Sequence, residues 1–193
     1  MTGKAVIITA PSGAGKTTIV KHLLGISNLK LAFSISACTR PIREGEINGR
    51  EYQFMTINQF KSMIDEGAFL EWEEVYKNSY YGTLKSEVAR IWRMDHHVLF
   101  DVDVMGGVNL KSMFGESALA IFIMPPSIEV LKQRLEKRGT ESEEKIRNRI
   151  NKASLELKFA KKFDVTVLND DLEKALKETE ELVADFLKQS SLK

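Results

Sequence analysis

The chain has 193 residues, of which 43% are hydrophobic and 28% are charged, a balance typical of one globular unit with a packed core. Its net charge of +1 gives no electrostatic reason to expect a nucleic acid or an anionic membrane as partner, so any anion must be bound locally. Cys38 is the only cysteine, which excludes an intramolecular disulfide and cysteine-based zinc clusters and fits a reducing compartment.

The histidines and the amino-terminal segment exclude further classes. His22, His96 and His97 show no H-x-x-x-H spacing, so a histidine metal cage is not expected. The segment MTGKAVIITA has a single apolar stretch, which is too short to span a membrane and lacks the layout of a signal peptide. We therefore expect a cytoplasmic protein that does not associate with a membrane.

The first predicted elements surround a glycine-rich segment, APSGAGKT, at residues 10 to 17. Residues 5 to 9 (AVIIT) are β-branched and apolar without alternation, which predicts a strand buried on both faces of a parallel sheet. From Lys16 onward, apolar residues recur at helical spacing until Gly25, where the helix is predicted to stop. Strand, loop and helix in this order are the context of a phosphate-binding loop, although the general pattern G-x-x-x-x-G-K-[ST] has glycine where this chain has Ala10.

The loop residues have the chemistry that binding of a nucleoside triphosphate requires. Glycines let backbone N–H groups turn toward phosphate oxygens, and the following helix N-terminus adds partial positive charge. Lys16 supplies a point charge for the β- and γ-phosphates, and the Thr17 hydroxyl is placed to ligate Mg²⁺. Ala10 costs little if its backbone uses β-region or α-region angles. The alternative is a chance glycine-rich turn that caps a helix.

Residues 34 to 82 interrupt the alternation of long strands and helices. They are rich in Thr, Ser, Tyr and Gly, with short alternating runs around one predicted helix at 57 to 66, and this indicates an inserted small mixed domain. Within it, Arg40 and Arg43 flank Pro41. Proline holds the backbone extended, so both guanidinium groups can converge on one phosphate, a group that arginine is suited to bind.

The rest of the chain alternates buried strands with helices, which predicts a doubly wound α/β fold with a parallel sheet flanked by helices. We predict strands at 98 to 102, 118 to 124 and 163 to 168, and helices at 83 to 94, 105 to 114, 127 to 138, 141 to 160 and 171 to 188. Thr140 and Glu143 form a capping-box pattern at the start of the long helix. Asp101 and Asp103 lie at the end of a buried strand, where such sheets bind ligands, so they are candidates for a metal site unless they only cap the next helix.

Seven segments of the chain, taken in order, resemble the guanylate kinase family, the P-loop kinases that transfer a phosphoryl group from ATP to GMP: APSGAGKTT, FSISACTRPIREGEINGREYQF, FLEWEEV, YYGT, LFDVDVMGG, KQRLEKRGTESEE and VLNDD. Their order and spacing run through nearly the whole chain and are together highly specific. The resemblance implies three parts: a P-loop core at 1 to 33, 83 to 125 and 155 to 193, a small mixed GMP-binding domain at 34 to 82, and a helical lid at 126 to 154. It also implies ATP and GMP as substrates, dGMP as a further acceptor and Mg²⁺ as cofactor, and it allows a homodimer.

By resemblance, the GMP phosphate is held by Arg40, Arg43, Tyr52 and Tyr81, and guanine is read by Ser36, Glu71, Thr83 and Asp103. Hydrogen-bond chemistry supports this division, because guanine presents N1–H and N2–H₂ donors side by side next to an O6 acceptor. Glu71 can accept from both donors while a hydroxyl donates to O6, whereas adenine would be mismatched at both contacts. Each residue alone has an ordinary alternative: a solvated arginine pair, half-buried tyrosines, or an exposed strand glutamate.

By the same resemblance, ATP is bound by the loop and by two residues further along the chain: Ala10, Pro11, Ser12, Gly13, Ala14, Gly15, Lys16, Thr17, Thr18, Arg134 and Asn169. Four residues are implied to be catalytic: Lys16, Arg40, Arg138 and Arg149. Of these, Lys16 and the lid arginines Arg138 and Arg149 are implied to stabilise charge on the transferred group. Thr17 is implied to ligate the metal directly and Asp101 through water. Asn169 is the predicted adenine contact, and Asp171 is predicted to cap the last helix. The lid arginines have an alternative as routine i,i+4 ion pairs, worth only about 0.2 to 0.5 kcal/mol each.

Two other functions compete with this interpretation. A non-catalytic guanylate-kinase-like module would bind protein ligands, but such modules typically have damaged phosphate loops, and this chain keeps Gly15, Lys16 and Thr17. A kinase for another monophosphate, such as AMP or UMP, would not need Glu71 and the hydroxyl groups. Activity across a panel of monophosphates distinguishes all three.

Overall fold

The computed structural model describes residues 3 to 137 and 143 to 189. In chain order these residues form β1 (Ala5–Thr9), α1 (Lys16–Leu24), β2 (Leu31–Phe33), β3 (Ala37–Cys38), β4 (Gln53–Phe54), α2 (Ile57–Asp65), β5 (Phe69–Tyr76), β6 (Ser79–Leu84), α3 (Lys85–Arg93), β7 (His97–Asp101), α4 (Val104–Phe114), β8 (Ala118–Met124), α5 (Ile128–Lys137), α6 (Glu143–Glu156), β9 (Val165–Leu168) and α7 (Leu172–Lys188). Short 3₁₀ turns lie at Ser27–Leu29, Gly115–Ser117 and Leu157–Lys162.

Five strands form a parallel sheet in the order β2, β7, β1, β8, β9. β1 lies at the centre, pairs with β7 and β8, and is buried along its whole length, as its unbroken apolar sequence predicts. Apolar clusters cover both faces of the sheet: Ile8 and Ile19 belong to one cluster, and Ile7 and Phe100 to the other. The predicted α/β fold with a parallel sheet flanked by helices is confirmed.

The register of this sheet positions the phosphate loop. Ile8 pairs with Asp101, so the carboxyl ends of β1 and β7 lie side by side. The chain leaves β1 into the glycine-rich loop, and α1 begins directly after it at Lys16. Because parallel strands end at the same edge of a sheet, the loop, the start of α1 and Asp101 all lie at that edge.

The segment between β2 and α3 forms a second sheet in the order β4, β3, β6, β5. β5 and β6 are an antiparallel hairpin, and Asn78 at its turn has a φ of 61°. The apolar cluster of this sheet centres on Phe60 of α2, whose ring stacks on Phe69 at 4.4 Å between centroids. α2 begins at a capping box formed by Thr56 and Gln59, which satisfies the first N–H groups of the helix.

The observed helices and strands differ from the predicted ones where the local sequence pattern does not reveal the pairing or burial of a segment. The strand β2 is not among the predicted elements, because it has three half-buried residues at the edge of the sheet. The helix predicted at 83 to 94 begins at Lys85, since residues 79 to 84 pair with β5 as β6. The long helix predicted at 141 to 160 is α-helical over Glu143–Glu156 and continues as 3₁₀ turns. Thr140, half of the predicted capping box, lies outside the described residues.

The other predicted elements lie within three residues of their observed positions. The last strand, predicted at 163 to 168, covers Val165–Leu168, and α4 begins at Val104 rather than 105. In the part of the chain that the structure describes, none of the helices combines the length and the apolar character that crossing a bilayer requires.

Candidate active site

A cleft of about 350 Å³ lies where the phosphate loop faces the small sheet. Its walls come from the loop after β1, from the hairpin of the small sheet, from the end of β7 and from α6. Most of the residues that the sequence predicts for the two substrates line it: Ala10, Pro11, Ser12, Gly13, Gly15, Lys16, Thr17, Ser36, Arg43, Tyr52, Glu71, Tyr81, Asp101, Asp103 and Arg149.

The backbone of the loop is curved by two glycines in the left-handed region. Gly13 and Gly15 have φ values of 94° and 96°, and Gly15 is the N-cap of α1. Ala10 is not among the non-glycine residues with positive φ in the described chain, and it is buried in the core. The methyl group at the position of the first motif glycine therefore causes no strain, as expected for β-region or α-region angles.

Lys16 points to the edge of the sheet where β7 ends. Its Nζ donates to the backbone oxygen of Val102 at 2.8 Å and forms an ion pair with Asp101. Thr17 lines the same cleft. Within residues 3 to 137 and 143 to 189, no three acidic, histidine or cysteine side chains form a metal cage. One hydroxyl and one carboxylate are, however, the sparse donor set by which proteins hold Mg²⁺ bound mainly to phosphates and water.

A second concave site lies behind the loop. Its volume is about 370 Å³, and it is lined by Gly13, Gly15, Thr18, Arg134, Lys137, Asn169 and Leu172. The Asn169 amide is buried and donates to the Ala14 backbone oxygen at 2.7 Å, so this side chain fastens the loop to the end of β9. Arg134 donates to the Asn169 backbone oxygen at 3.0 Å. The Oδ1 atom of Asn169 has no partner within the described chain.

One of the predicted lid arginines reaches the loop. Arg149 on α6 donates from Nη1 to Ser12 Oγ at 2.6 Å and lines the cleft. Arg138, the other arginine predicted to act on the transferred group, lies outside the described residues. The carboxyl half of the segment predicted to be a lid therefore contacts the phosphate loop directly through Arg149.

Three of the four predicted phosphate-binding residues of the insertion line the cleft, and the fourth, Arg40, packs against one of them, Tyr52. The Arg40 guanidinium lies over the rings of Tyr52 and Phe54, 4.9 Å and 5.2 Å from their centroids. Its Nη1 and Nη2 atoms donate to Glu46 at 2.7 and 2.6 Å. The Arg40 guanidinium lowers the pKa of the Glu46 carboxyl to about 2, and burial raises the pKa of Tyr52 to about 12. At neutral pH the Tyr52 hydroxyl thus remains a hydrogen-bond donor.

The predicted guanine-reading residues include a buried carboxylate beside a hydroxyl. Glu71 on β5 is 7% exposed and accepts a hydrogen bond from Thr83 Oγ1 at 2.6 Å. Burial raises the pKa of Glu71 to about 7, and the nearby Asp103 charge adds to this shift. Asp103 also caps α4 by accepting from the Gly106 N–H at 2.8 Å, so its capping and pocket-lining positions are compatible. Ser36 lies at the same cleft.

Sequence reasoning missed four acidic or basic residues that belong to this site. Glu73 and Glu156 line the cleft, as does Lys152, whose Nζ lies 3.5 Å from Glu156 and 4.0 Å from Asp103. Glu46 holds Arg40 from behind. Burial raises the pKa of Glu156, an effect that no local sequence pattern indicates. In a single sequence all four resemble ordinary solvated charges.

A glycine-rich phosphate loop at the edge of a parallel sheet, with a lysine and a threonine at the start of the following helix, defines a P-loop nucleotide-binding protein. The second cluster of arginine, tyrosine and buried carboxylate in the same cleft is consistent with a kinase in which a second phosphorylated molecule faces the loop. Comparisons with known proteins give the family.

The sequence profile of the guanylate kinase family matches residues 2 to 186, and the chain belongs to this family. The guanylate kinase of Bacteroides thetaiotaomicron is 52% identical over 187 residues, covering 97% of this chain and 91% of the relative. That of Porphyromonas gingivalis is 49% identical over 184 residues, covering 95% and 98%. The crystal structure of guanylate kinase from Anaplasma phagocytophilum has the same fold, with a TM-score of 0.79 at 24% identity, and the match covers 98% of this chain and 88% of that one.

Proposed function

We propose that the protein is an ATP:GMP phosphotransferase that converts ATP and GMP to ADP and GDP. The observation that carries the proposal is the single cleft that contains Lys16 of the phosphate loop on one side and Glu71, with Arg43, on the other. A nucleotide base at Glu71 and its phosphate at Arg43 would point that phosphate toward the loop. The alternative of a non-catalytic binding module has no support from the loop, whose glycine geometry and lysine are intact.

The acceptor base is distinguished by hydrogen bonding. The Glu71 carboxylate offers two acceptor oxygens to the N1–H and N2–H₂ donors of guanine, and Asp103 is close enough to share the amino group. The Thr83 hydroxyl already donates to Glu71 and so fixes its orientation. Adenine presents an acceptor where guanine has N1–H, and sites built on such contacts discriminate by about 10⁴ to 10⁵.

Phosphoryl transfer then needs positioning and charge rather than a covalent enzyme intermediate. An oxygen of the GMP phosphate attacks the γ-phosphorus of ATP, and the bond from that phosphorus to the bridging oxygen of ADP breaks. Lys16 and Arg149, both at the loop, stabilise negative charge on the transferred group, and Arg43 holds the acceptor phosphate. Arg138 is proposed to act with Arg149. Thr17 and Asp101 would hold Mg²⁺, which supplies charge neutralisation of the phosphates when bound.

The proposal extends to a second acceptor, to the position of adenine and to the organisation of the chain. The cleft residues on which the assignment rests are proposed to face the base and the phosphate, and dGMP has the same base and phosphate as GMP. We therefore propose dGMP as a second acceptor. Adenine is proposed to lie in the site behind the loop, near Asn169 and Leu172. We also propose the three-part division into core, GMP-binding domain and lid, a cytoplasmic location and a homodimer.

A coupled assay of ADP release across GMP, dGMP, AMP and UMP with Mg²⁺ and ATP tests the function. The expected result is turnover with GMP and dGMP and little with AMP or UMP. Equal rates with AMP would contradict the guanine assignment, and no turnover with any monophosphate would favour the protein-binding module.

A further inference from the structure

The loop between β3 and β4, which carries Arg40 and Arg43, also contains a carboxylate that the proposed mechanism does not use. Glu46 accepts hydrogen bonds from Nη1 and Nη2 of Arg40, and its Oε2 also accepts from the backbone N–H of Arg43 at 2.8 Å. The two charged side chains are largely shielded from solvent, with 11% of Arg40 and 16% of Glu46 exposed. A shielded, bidentate pair of this kind is held far more firmly than an exposed ion pair.

These contacts use only part of the guanidinium group. Arginine has five N–H donors, and Nη1 of Arg40 donates once to Glu46 and once to the Pro41 backbone oxygen at 3.0 Å. Nη2 donates once to Glu46. The remaining Nη2–H and the Nε–H point along one edge of the planar group and form a second fork of two donors. Within the described chain, no acceptor is bonded to that fork.

The aromatic neighbours fix the plane in which this fork lies. The Arg40 guanidinium stacks over Tyr52 and Phe54, and Tyr52 in turn lines the cleft beside Arg43. The group is thus held at its far end by Glu46 and packed against two rings, one of which, Tyr52, lines the cleft proposed for the acceptor phosphate. A fork of this shape matches two oxygens of a phosphate.

We propose that Glu46 is a positioning residue: by holding the Nη1/Nη2 end of Arg40, it presents the Nε/Nη2 fork to the acceptor phosphate. The inference rests on the proposed phosphorylation of GMP. Charge alone predicts the opposite effect, because a carboxylate near a phosphate site repels the anion. Positioning outweighs that repulsion, since loss of Glu46 leaves a shielded arginine without its counter-ion and free to turn its fork away.

The test compares Glu46→Gln with Glu51→Gln. Glu51 is the matched control because it lies in the same loop and accepts from a backbone N–H, that of Ile47 at 2.7 Å, and from Arg50 Nε at 2.6 Å. The Glu46 variant should bind GMP about tenfold more weakly, the usual effect of losing a charged hydrogen bond. Its affinity for guanosine, which has no phosphate, and its KM for ATP should match the wild type. The Glu51 variant should match it throughout.

A double-mutant cycle with Arg40→Met separates positioning from general support of the loop. If Glu46 acts through Arg40, Glu46→Gln adds almost nothing in the Arg40→Met background. Unchanged or tighter GMP binding by the single variant would overturn the proposal, as would a full tenfold loss on top of Arg40→Met. An equal loss of guanosine affinity would also overturn it, because Glu46 would then support the whole domain. If the wild-type protein phosphorylates GMP, any of these results would overturn the role of Glu46 and would not contradict the proposed function.

Discussion

Replacing Glu71 with glutamine should lower GMP kinase activity and, at the same time, make the protein more stable above neutral pH. The two side chains have the same shape, and the amide oxygen of the introduced glutamine can still accept the hydrogen bond that Thr83 donates to Glu71. The amide nitrogen, however, would face one of the two guanine donors. One lost charged hydrogen bond and one unsatisfied donor together cost about 3 to 4 kcal/mol. Because each 1.4 kcal/mol is a factor of ten, kcat/KM for GMP should fall by about 10² to 10³.

The stability effect has the opposite sign. The folded-state pKa of Glu71 is about 7, raised from 4.5 by burial. Between these two values the folded protein keeps a proton that the unfolded chain has released, so wild-type stability falls as pH rises from 4.5 to about 7. The loss amounts to about 3 kcal/mol, and glutamine does not share it. The variant should therefore be more stable than wild type at about pH 8 and should lose most of that advantage at about pH 4.5.

Two assays on purified protein check these values. Initial rates of ADP release at several GMP concentrations give kcat/KM, and urea unfolding at about pH 4.5 and about pH 8 gives the free energy of unfolding. Glu74→Gln, an exposed glutamate on the same strand, is the control and should behave as wild type. An unchanged kcat/KM for GMP in the Glu71 variant would refute the assignment of Glu71 to the base. Identical pH dependence of stability in variant and wild type would refute the burial argument.

Three further substitutions test other parts of the molecule. Lys16→Met should keep the fold and reduce kcat at least about 10²-fold, because the negative charge on the transferred group loses its counter-ion. Circular dichroism checks the fold, and the coupled assay measures kcat. Gly15→Ala should lower the free energy of unfolding by about 1 to 3 kcal/mol, since the φ of 96° is strained for alanine and its Cβ would collide with the Asn169 amide. Lys4→Met should lower the free energy of unfolding by about 1 to 3 kcal/mol, because the Lys4 ammonium donates to the carbonyls of Phe186 and Gln189 at the end of α7. Thermal denaturation measures this loss, with Lys188→Met, at an exposed lysine, as the control.

The parts of the fold and site that consist of consecutive residues are the ones that the sequence predicts best. The strand β1, the loop after it and the start of α1 follow one another, so apolar periodicity and the glycine pattern indicate all three. The strand β2 is not predicted, because Leu31–Phe33 is too short to show the alternation of a strand and lies half-buried at the edge of the sheet. The end of β6 is mispredicted as helix because its pairing with β5 is not visible in the local pattern.

The parts of the site that depend on distant residues could not be predicted in this way. The contact between Glu46 and Arg40 could not be predicted from the sequence, because the folded loop determines that Glu46 accepts from the Nη1 and Nη2 atoms of Arg40. Asn169 is predicted to contact adenine, and the structure adds a contact that the sequence does not indicate, since its amide donates to Ala14, 155 residues earlier in the chain. The raised pKa of Glu71 likewise follows from burial, which the sequence does not reveal, because it gives no sign that Glu71 rather than Glu73, on the other side of Trp72, is the buried one.

The measurement that tests the central claim most directly is the fate of the γ-phosphoryl group of ATP. When ATP labelled at that position is incubated with the protein, Mg²⁺ and GMP, the label should appear in GDP, in an amount equal to the ADP formed. Without GMP, little label should leave ATP. Label that passes to inorganic phosphate whether or not GMP is present, or that stays in ATP throughout, would contradict the account.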